Sequence, residues 1–213
     1  MVLRGVVFDF DGTLADTLPI VFKTFRSVLM PRLGREISND ELRHYFGPSE
    51  EGILQRLVPD QPAISIEAYL DLYERLHFSY PVAIPGVRQM LELLSSMGLQ
   101  MAIVTGKGQR SADISIRYLA LADYFAFVET GNPSYGNKEV PIRRVLNSWH
   151  FAPHQVIYVG DMAEDMRNAV AVGLIPVGAA WLKSTRPEIL RNAGAMKVFS
   201  DPLAFALWVG SLF

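Results

Sequence analysis

The chain has no cysteine, only four histidines, and no apolar run that approaches the ~20 residues of a membrane-spanning helix. The missing thiols exclude disulfides, thiolate metal sites and cysteine nucleophiles, and are compatible with a reducing compartment. His150 and His154 are four apart, but Pro153 lies between them and no acidic partner follows, so a zinc pair is not expected. An excess of one charge is missing too. Twenty lysines and arginines against 22 aspartates and glutamates leave a formal net charge of −2, which argues against nucleic acid as the main partner. The opening "MVLRGVVFDFD" has too short an apolar part, and gains acids too early, for a signal peptide. With 213 residues, half of them hydrophobic and a fifth charged, the expectation is a soluble, cytoplasmic globular protein with one core and room for a smaller appendage.

What is present begins with "VVFDFDGTLADT" at residues 6 to 17, an apolar run that ends in two aspartates. Two ionised carboxylates so close together repel, and low-dielectric surroundings would raise the pKa of one or both unless a cation or proton intervened. Asp11-Gly12 could be a hairpin turn, but that reading needs an alternating strand after it. Instead Leu14, Leu18, Val21, Phe22, Phe25, Val28 and Leu29 recur at helical spacing, so the turn joins a strand to a helix. An EF-hand loop fails because Leu14 stands where its glycine belongs.

From about Asp16 to Ala83 the pattern is helical. Segments 17–29, 38–45, 49–57 and 65–78 read as helices, the second opened by a capping box at Ser38 to Glu41, with Pro59 and Pro62 as breaks. From Pro85 amphipathic helices alternate with short β-branched runs, "LQMAIVTG", "YFAFVETG", "QVIYVGD" and "IPVGAAW". Such alternation implies βαβ units. The expected fold is therefore α/β, a Rossmann-like parallel sheet flanked by helices, with an inserted all-helical cap. Residues 1–15 and 84–213 would form the core and 16–83 the cap. The apolar tail "LAFALWVGSLF" is expected to pack on the core or on a partner.

Ligands of open parallel sheets bind outside the carboxyl ends of the strands. Three such ends carry polar chemistry here: "VVFDFDG", "MAIVTGKG" and "VIYVGDMAED". Asp9 and Asp11, two apart, can face one site, and Asp161 adds a third carboxylate. Without thiols or clustered histidines, three acids favour a hard cation, and Mg2+ is the usual choice beside phosphate. Thr105 and the amides near Gly106 offer donors to an anion at a helix start. Lys138 precedes a helix from which it could reach the same strand ends, and Asp165 falls in the first turn of a helix, where a carboxylate is favoured anyway. "GKGQRS" at 106–111 only approaches a dinucleotide fingerprint, with serine in place of the third glycine.

In order and spacing, "DFDGTL" at 9–14, "VTGK" at 104–107, Lys138 with Pro141 downstream, and "GDMAED" at 160–165 resemble the four motifs of the haloacid dehalogenase-like hydrolases, in the branch similar to phosphoglycolate phosphatases. The resemblance spans essentially the whole chain. It implies that Asp9 is a nucleophile that forms an aspartyl-phosphate and Asp11 the general acid and base. It further implies Mg2+ held by the Asp9 side chain, the Asp11 backbone carbonyl and Asp161, with Asp165, Gly12 and Gly106 in support. Thr105 and Lys138 would hold phosphoryl oxygens. Asp11 argues for phosphoryl transfer over dehalogenation. Glu50 and Gly160 stand where related mutases tend to have arginine and glutamate, and both differences favour a hydrolase. The departure is at Lys138, which is followed by Glu139 rather than proline. The expected partner is a small phosphorylated metabolite, phosphoglycolate among the candidates, with no membrane or nucleic acid, and the expected state is monomer or homodimer. A mutase and a phosphate-sensing module are the competing readings. Arg32, Arg35, Arg43, His44 and Arg56 are the cations in the cap that could meet a second anionic group.

Overall fold

The structure, a computed structural model, describes residues 3–213. Its centre is the strand β1 (Gly5–Phe8), buried along its whole length. Four helices follow it: α1 (Leu18–Leu33), α2 (Asn39–Arg43), α3 (Glu50–Leu57) and α4 (Pro62–His77). Helix and strand then alternate as α5 (Val87–Ser96), β2 (Gln100–Val104), α6 (Gln109–Leu119), β3 (Phe127–Glu129), α7 (Glu139–Trp149), β4 (Val156–Gly160), α8 (Ala163–Val172) and β5 (Ile175–Ala179). The chain closes with α9 (Pro187–Asn192), β6 (Lys197–Phe199) and α10 (Pro202–Gly210).

Among the described residues the strands form one parallel sheet in the order β3-β2-β1-β4-β5-β6. A strand buried on both faces needs apolar residues at every position, and "GVVF" supplies them. The two-residue period sends Val6 and Phe8 to the face covered by α5 and α10, and Val7 to the face covered by α7 and α8. Both faces are thus dry, and the polar residues of the chain are free to gather where the strands end. The Rossmann-like parallel core expected from the sequence is what the chain adopts.

The four helices after β1 bury an apolar cluster of their own, with Ile20, Phe25, Leu29, Leu54, Tyr69 and Tyr73 inside. The chain enters and leaves this segment at paired positions: Ala15 bridges Ala83, and the Asp16 amide donates to the Val82 carbonyl at 2.8 Å.

Several boundaries differ from the expected ones for local reasons. Pro62 was expected to break the chain, but it opens α4 from its first turn, where a missing N–H is harmless. Helix α1 runs on to Leu33 with Pro31 in its last turn and ends on Gly34 in the left-handed region, at φ 66°. Ser38 caps α2 by accepting the Glu41 amide at 3.1 Å, while the Glu41 carboxylate turns outward to Arg35 at 2.6 Å, so half of the expected capping box forms. Strand β6 and helix α9 are too short to register as periodic patterns. The tail packs on the core: α10 buries Phe205, Ala206 and Val209 against the sheet.

Candidate active site

The end of β1 is shaped by Phe10. Its ring is fully buried in the core, which leaves its neighbours Asp9 and Asp11 to line a common cavity of about 290 Å³ at the carboxyl edge of the sheet. Gly12 follows at φ 85°, a conformation that side chains disfavour, and a Cβ there would collide with the Asp161 carboxylate. The tight turn is what lets Asp161, arriving at the end of β4, come close to the first strand. Trp181 steadies the turn by donating from its indole nitrogen to the Thr13 carbonyl at 3.0 Å.

Lys138 immediately precedes α7 and sends its ammonium into the site, 2.7 Å from Asp9 Oδ1 and 2.7 Å from Asp165 Oδ1. Asp165 has two tasks at once. Its Oδ2 accepts the Met162 amide at 3.0 Å, as a first-turn carboxylate should, while Oδ1 takes Lys138 and the Tyr158 hydroxyl at 3.3 Å. Asp9, Asp161 and Asp165 each present a carboxylate oxygen within 4.8 Å of the others. Burial pushes Asp9 up to about 7 even though Lys138 opposes it, and burial followed by the charge of Asp9 holds Asp161 well above the usual carboxylate range. Lys138 is itself buried, which would lower its pKa, but Asp165 and Asp9 outweigh that and raise it well above the ordinary lysine value.

Such a set fits a divalent cation. All donors are carboxylate oxygens, and Asp161 is 8% exposed and forms no salt bridge among the described residues, with the Thr13 hydroxyl 3.5 Å away. A hard cation would restore the ionised forms that burial disfavours. The Asp11 carboxylate does not join this set. Its Oδ1 instead receives the Thr17 hydroxyl at close range and the Lys107 ammonium at 3.3 Å.

Thr105 is buried at the end of β2, and its Oγ1 accepts the Lys107 amide at 3.2 Å. It lines a neighbouring polar cavity, next to that of Asp9, and Gly106 and Lys138 line both. The wall contributed by the helical segment is mainly apolar, with Leu18, Val21, Phe25, Phe46 and Ile53, and carries Arg43 and Glu50 as its charged members. Of the five cations between residues 32 and 56 singled out from the sequence, Arg43 lines the cavity, its guanidinium also paired with Asp40 at 2.9 Å. Arg35 is taken by Glu41, Arg32 by the Val28 carbonyl, and the His44 ring by the Asp40 carbonyl. Two residues the sequence reading gave no role here, Lys107 and Glu50, are buried together beside Asp11, with Nζ 3.5 Å from Glu50 Oε1. The signal was visible in part, since Lys107 is the last residue of "VTGK", but nothing near it in sequence points to Glu50.

The haloacid dehalogenase-like hydrolase family matches residues 6–179, which takes in all of these side chains except Trp181. The chain belongs to that family. A phosphoglycolate phosphatase from Rhodobacter capsulatus is 31% identical over 183 residues, 80% of this chain and 81% of that protein. The pyrophosphatase PpaX of Bacillus pumilus is 26% identical over 211 residues, 95% of each chain. A haloacid dehalogenase-like hydrolase from Streptococcus pneumoniae superposes with a TM-score of 0.77 at 24% identity, covering 97% of this chain and 98% of its own. CbbY of Rhodobacter sphaeroides, solved with phosphate, superposes at 0.76 with 17% identity over 94% and 95%. These solved structures share the fold. As a haloacid dehalogenase-like hydrolase the chain is an enzyme, and none of its described helices is long and apolar enough to cross a membrane.

Proposed function

We propose that the protein is a magnesium-dependent phosphatase that hydrolyses a small phosphorylated metabolite through an aspartyl-phosphate on Asp9. The observation that carries this reading is the convergence of Asp9 and Asp11 on one cavity, with Lys138 held between Asp9 and Asp165. Asp9 is the nucleophile: a carboxylate oxygen attacks phosphorus as the bond to the leaving oxygen breaks. Asp11 gives its proton to that oxygen, then takes one from the water that attacks the acyl phosphate and frees Asp9. Lys138 and the donors around Thr105 and Gly106 stabilise charge on the phosphoryl oxygens. Asp9 and Asp161, with the Asp11 backbone carbonyl and support from Asp165, would hold Mg2+, which supplies charge neutralisation at the phosphoryl group.

In the same reading residues 16–83 are a cap over a core of residues 1–15 and 84–213, and the cap selects the substrate. Its wall of aliphatic and aromatic side chains, with Arg43 as the cation, suits a small molecule with one polar end. The names of the relatives make phosphoglycolate and pyrophosphate the first compounds to compare. A mutase is disfavoured by two local facts: a side chain at Gly160 would collide with Asp165, and Glu50 is engaged with Lys107 and the Gly108 amide. The test is release of inorganic phosphate from an aryl phosphate with Mg2+ or with chelator, for wild type and Asp9→Asn. Turnover that needs Mg2+ and falls by more than about a thousandfold in the variant is expected. Undiminished turnover by Asp9→Asn would remove the nucleophile from the mechanism.

A further inference from the structure

Lys107 borders the cavity, yet the reaction above does not use it. Its side chain is 1% exposed. The ammonium meets Asp11 Oδ1 at 3.3 Å, Glu50 Oε1 at 3.5 Å and the face of the Tyr73 ring, 4.5 Å from its centre. An ammonium buried this far is strongly unfavourable unless anions compensate it, and the compensation here is drawn from separate parts of the chain. Asp11 comes from the turn after β1, Glu50 from the first turn of α3, and Tyr73 from α4. Glu50 is fixed in turn by the start of α6, where its Oε2 accepts the Gly108 amide at 2.5 Å and its Oε1 the Ser111 hydroxyl at 2.7 Å. Both contacts on the Asp11 carboxylate, from Lys107 and from Thr17, fall on Oδ1. That leaves Oδ2 to exchange a proton with substrate and water.

We propose that Lys107 is a positioning residue for Asp11: its ammonium fixes the carboxylate that exchanges the proton, and Glu50, reaching over from the helical segment, fixes the ammonium and offsets its charge. The chain of contacts runs from α6 to Glu50, from Glu50 and Tyr73 to Lys107, and from Lys107 to Asp11. The Lys107 contact on Asp11, which adds to that of Thr17, is therefore at full strength while the helical segment is seated on the core. The inference rests on the reading of Asp11 as acid and base, so the test must separate the two.

Proton donation matters most when the leaving oxygen is a poor leaving group. The measurement is kcat/KM in Mg2+ for p-nitrophenyl phosphate and for a simple alkyl phosphate, with full-length wild type, Asp11→Asn, Lys107→Met, Lys107→Arg and Glu50→Gln. Asp11→Asn is expected to lose far more on the alkyl than on the aryl ester. Lys107→Met should show the same selectivity at smaller amplitude, with about tenfold more loss on the alkyl ester, in keeping with a misplaced catalytic group. Lys107→Arg should recover part of it, and Glu50→Gln should fall between. A lysine that merely supports the fold would lower both rates alike, and equal losses in Lys107→Met would overturn the proposal. Should that variant fail to fold, Glu50→Gln decides by the same ratio. Equal losses in Asp11→Asn would instead remove the role of Asp11, and the proposal with it.

Discussion

Asp9, Asp11 and Asp161 were legible because each sits at the end of an apolar run, where an acid has no reason to be unless something binds it. Gly12 shows how much of the geometry such a pattern hides. The sequence marks a turn there, but only the folded chain shows that the missing Cβ is the space into which the Asp161 carboxylate fits. Gly12→Ala adds about 1 kcal/mol of backbone strain at a positive φ and pushes Asp161 away from Asp9. The expected outcome is a modest fall in melting temperature and a clear rise in the Mg2+ concentration needed for half-maximal activity. An unchanged Mg2+ dependence would mean that Asp161 does not serve the cation. Lys107 and Glu50 stayed hidden for the opposite reason: a charged residue reads as solvated surface until its partners, far away in sequence, are known.

Helices α4 and α6 meet through a polar cluster that no periodicity predicts. His77 is fully buried on α4, its Nδ1 2.9 Å from the Tyr73 carbonyl and its Nε2 3.1 Å from the Ser115 hydroxyl of α6. A carbonyl only accepts, so Nδ1 carries the proton, while Nε2 faces a Ser115 hydroxyl that also lies 3.2 Å from the Ser111 carbonyl and 3.0 Å from the Tyr73 hydroxyl. Burial is the main reason that the His77 pKa lies below 6.5; the hydrogen bond to the Tyr73 carbonyl opposes this, nearby Lys107 lowers it further, and Asp11 and Glu74 raise it. The unfolded chain therefore takes up this proton first as pH falls below about 6.5, and the folded state loses stability there; above that value both states hold a neutral ring and nothing is lost. Denaturant titrations at pH 7.5 and 5.5 should show wild type losing more stability than His77→Gln over that interval. Equal losses would show that the ring is free to protonate in the folded protein. The two prolines at unexpected boundaries act differently: Pro62 sits in the first turn of α4, where its missing N–H is harmless, whereas Pro31 lies inside α1 and forfeits a hydrogen bond, and the helix ends two residues later.

At the scale of the whole molecule, the alternation of strands and helices was enough to reveal the parallel core, but the helical segment is seated on that core by side-chain networks and by close backbone contacts, and the latter leave little trace in composition. Gly52 in α3 lies so close to the Pro133 carbonyl that a Cβ would collide with it, and the Ser49 amide donates to the Asn132 carbonyl at 3.1 Å. The loop after β3 thus holds the start of α3, where Glu50 resides. On helix propensity alone, Gly52→Ala should stabilise the protein by up to about 1 kcal/mol. With the carbonyl in the way the sign reverses: the substitution must push α3 off the loop and draw Glu50 away from Lys107. We expect the melting temperature of Gly52→Ala to fall, and kcat/KM to fall with it, while binding of inorganic phosphate at the core changes little. A higher melting temperature with unchanged kcat/KM would mean that α3 and the loop are not packed this way in solution. It would also remove the physical link by which closing the helical segment sets the proton-transferring carboxylate.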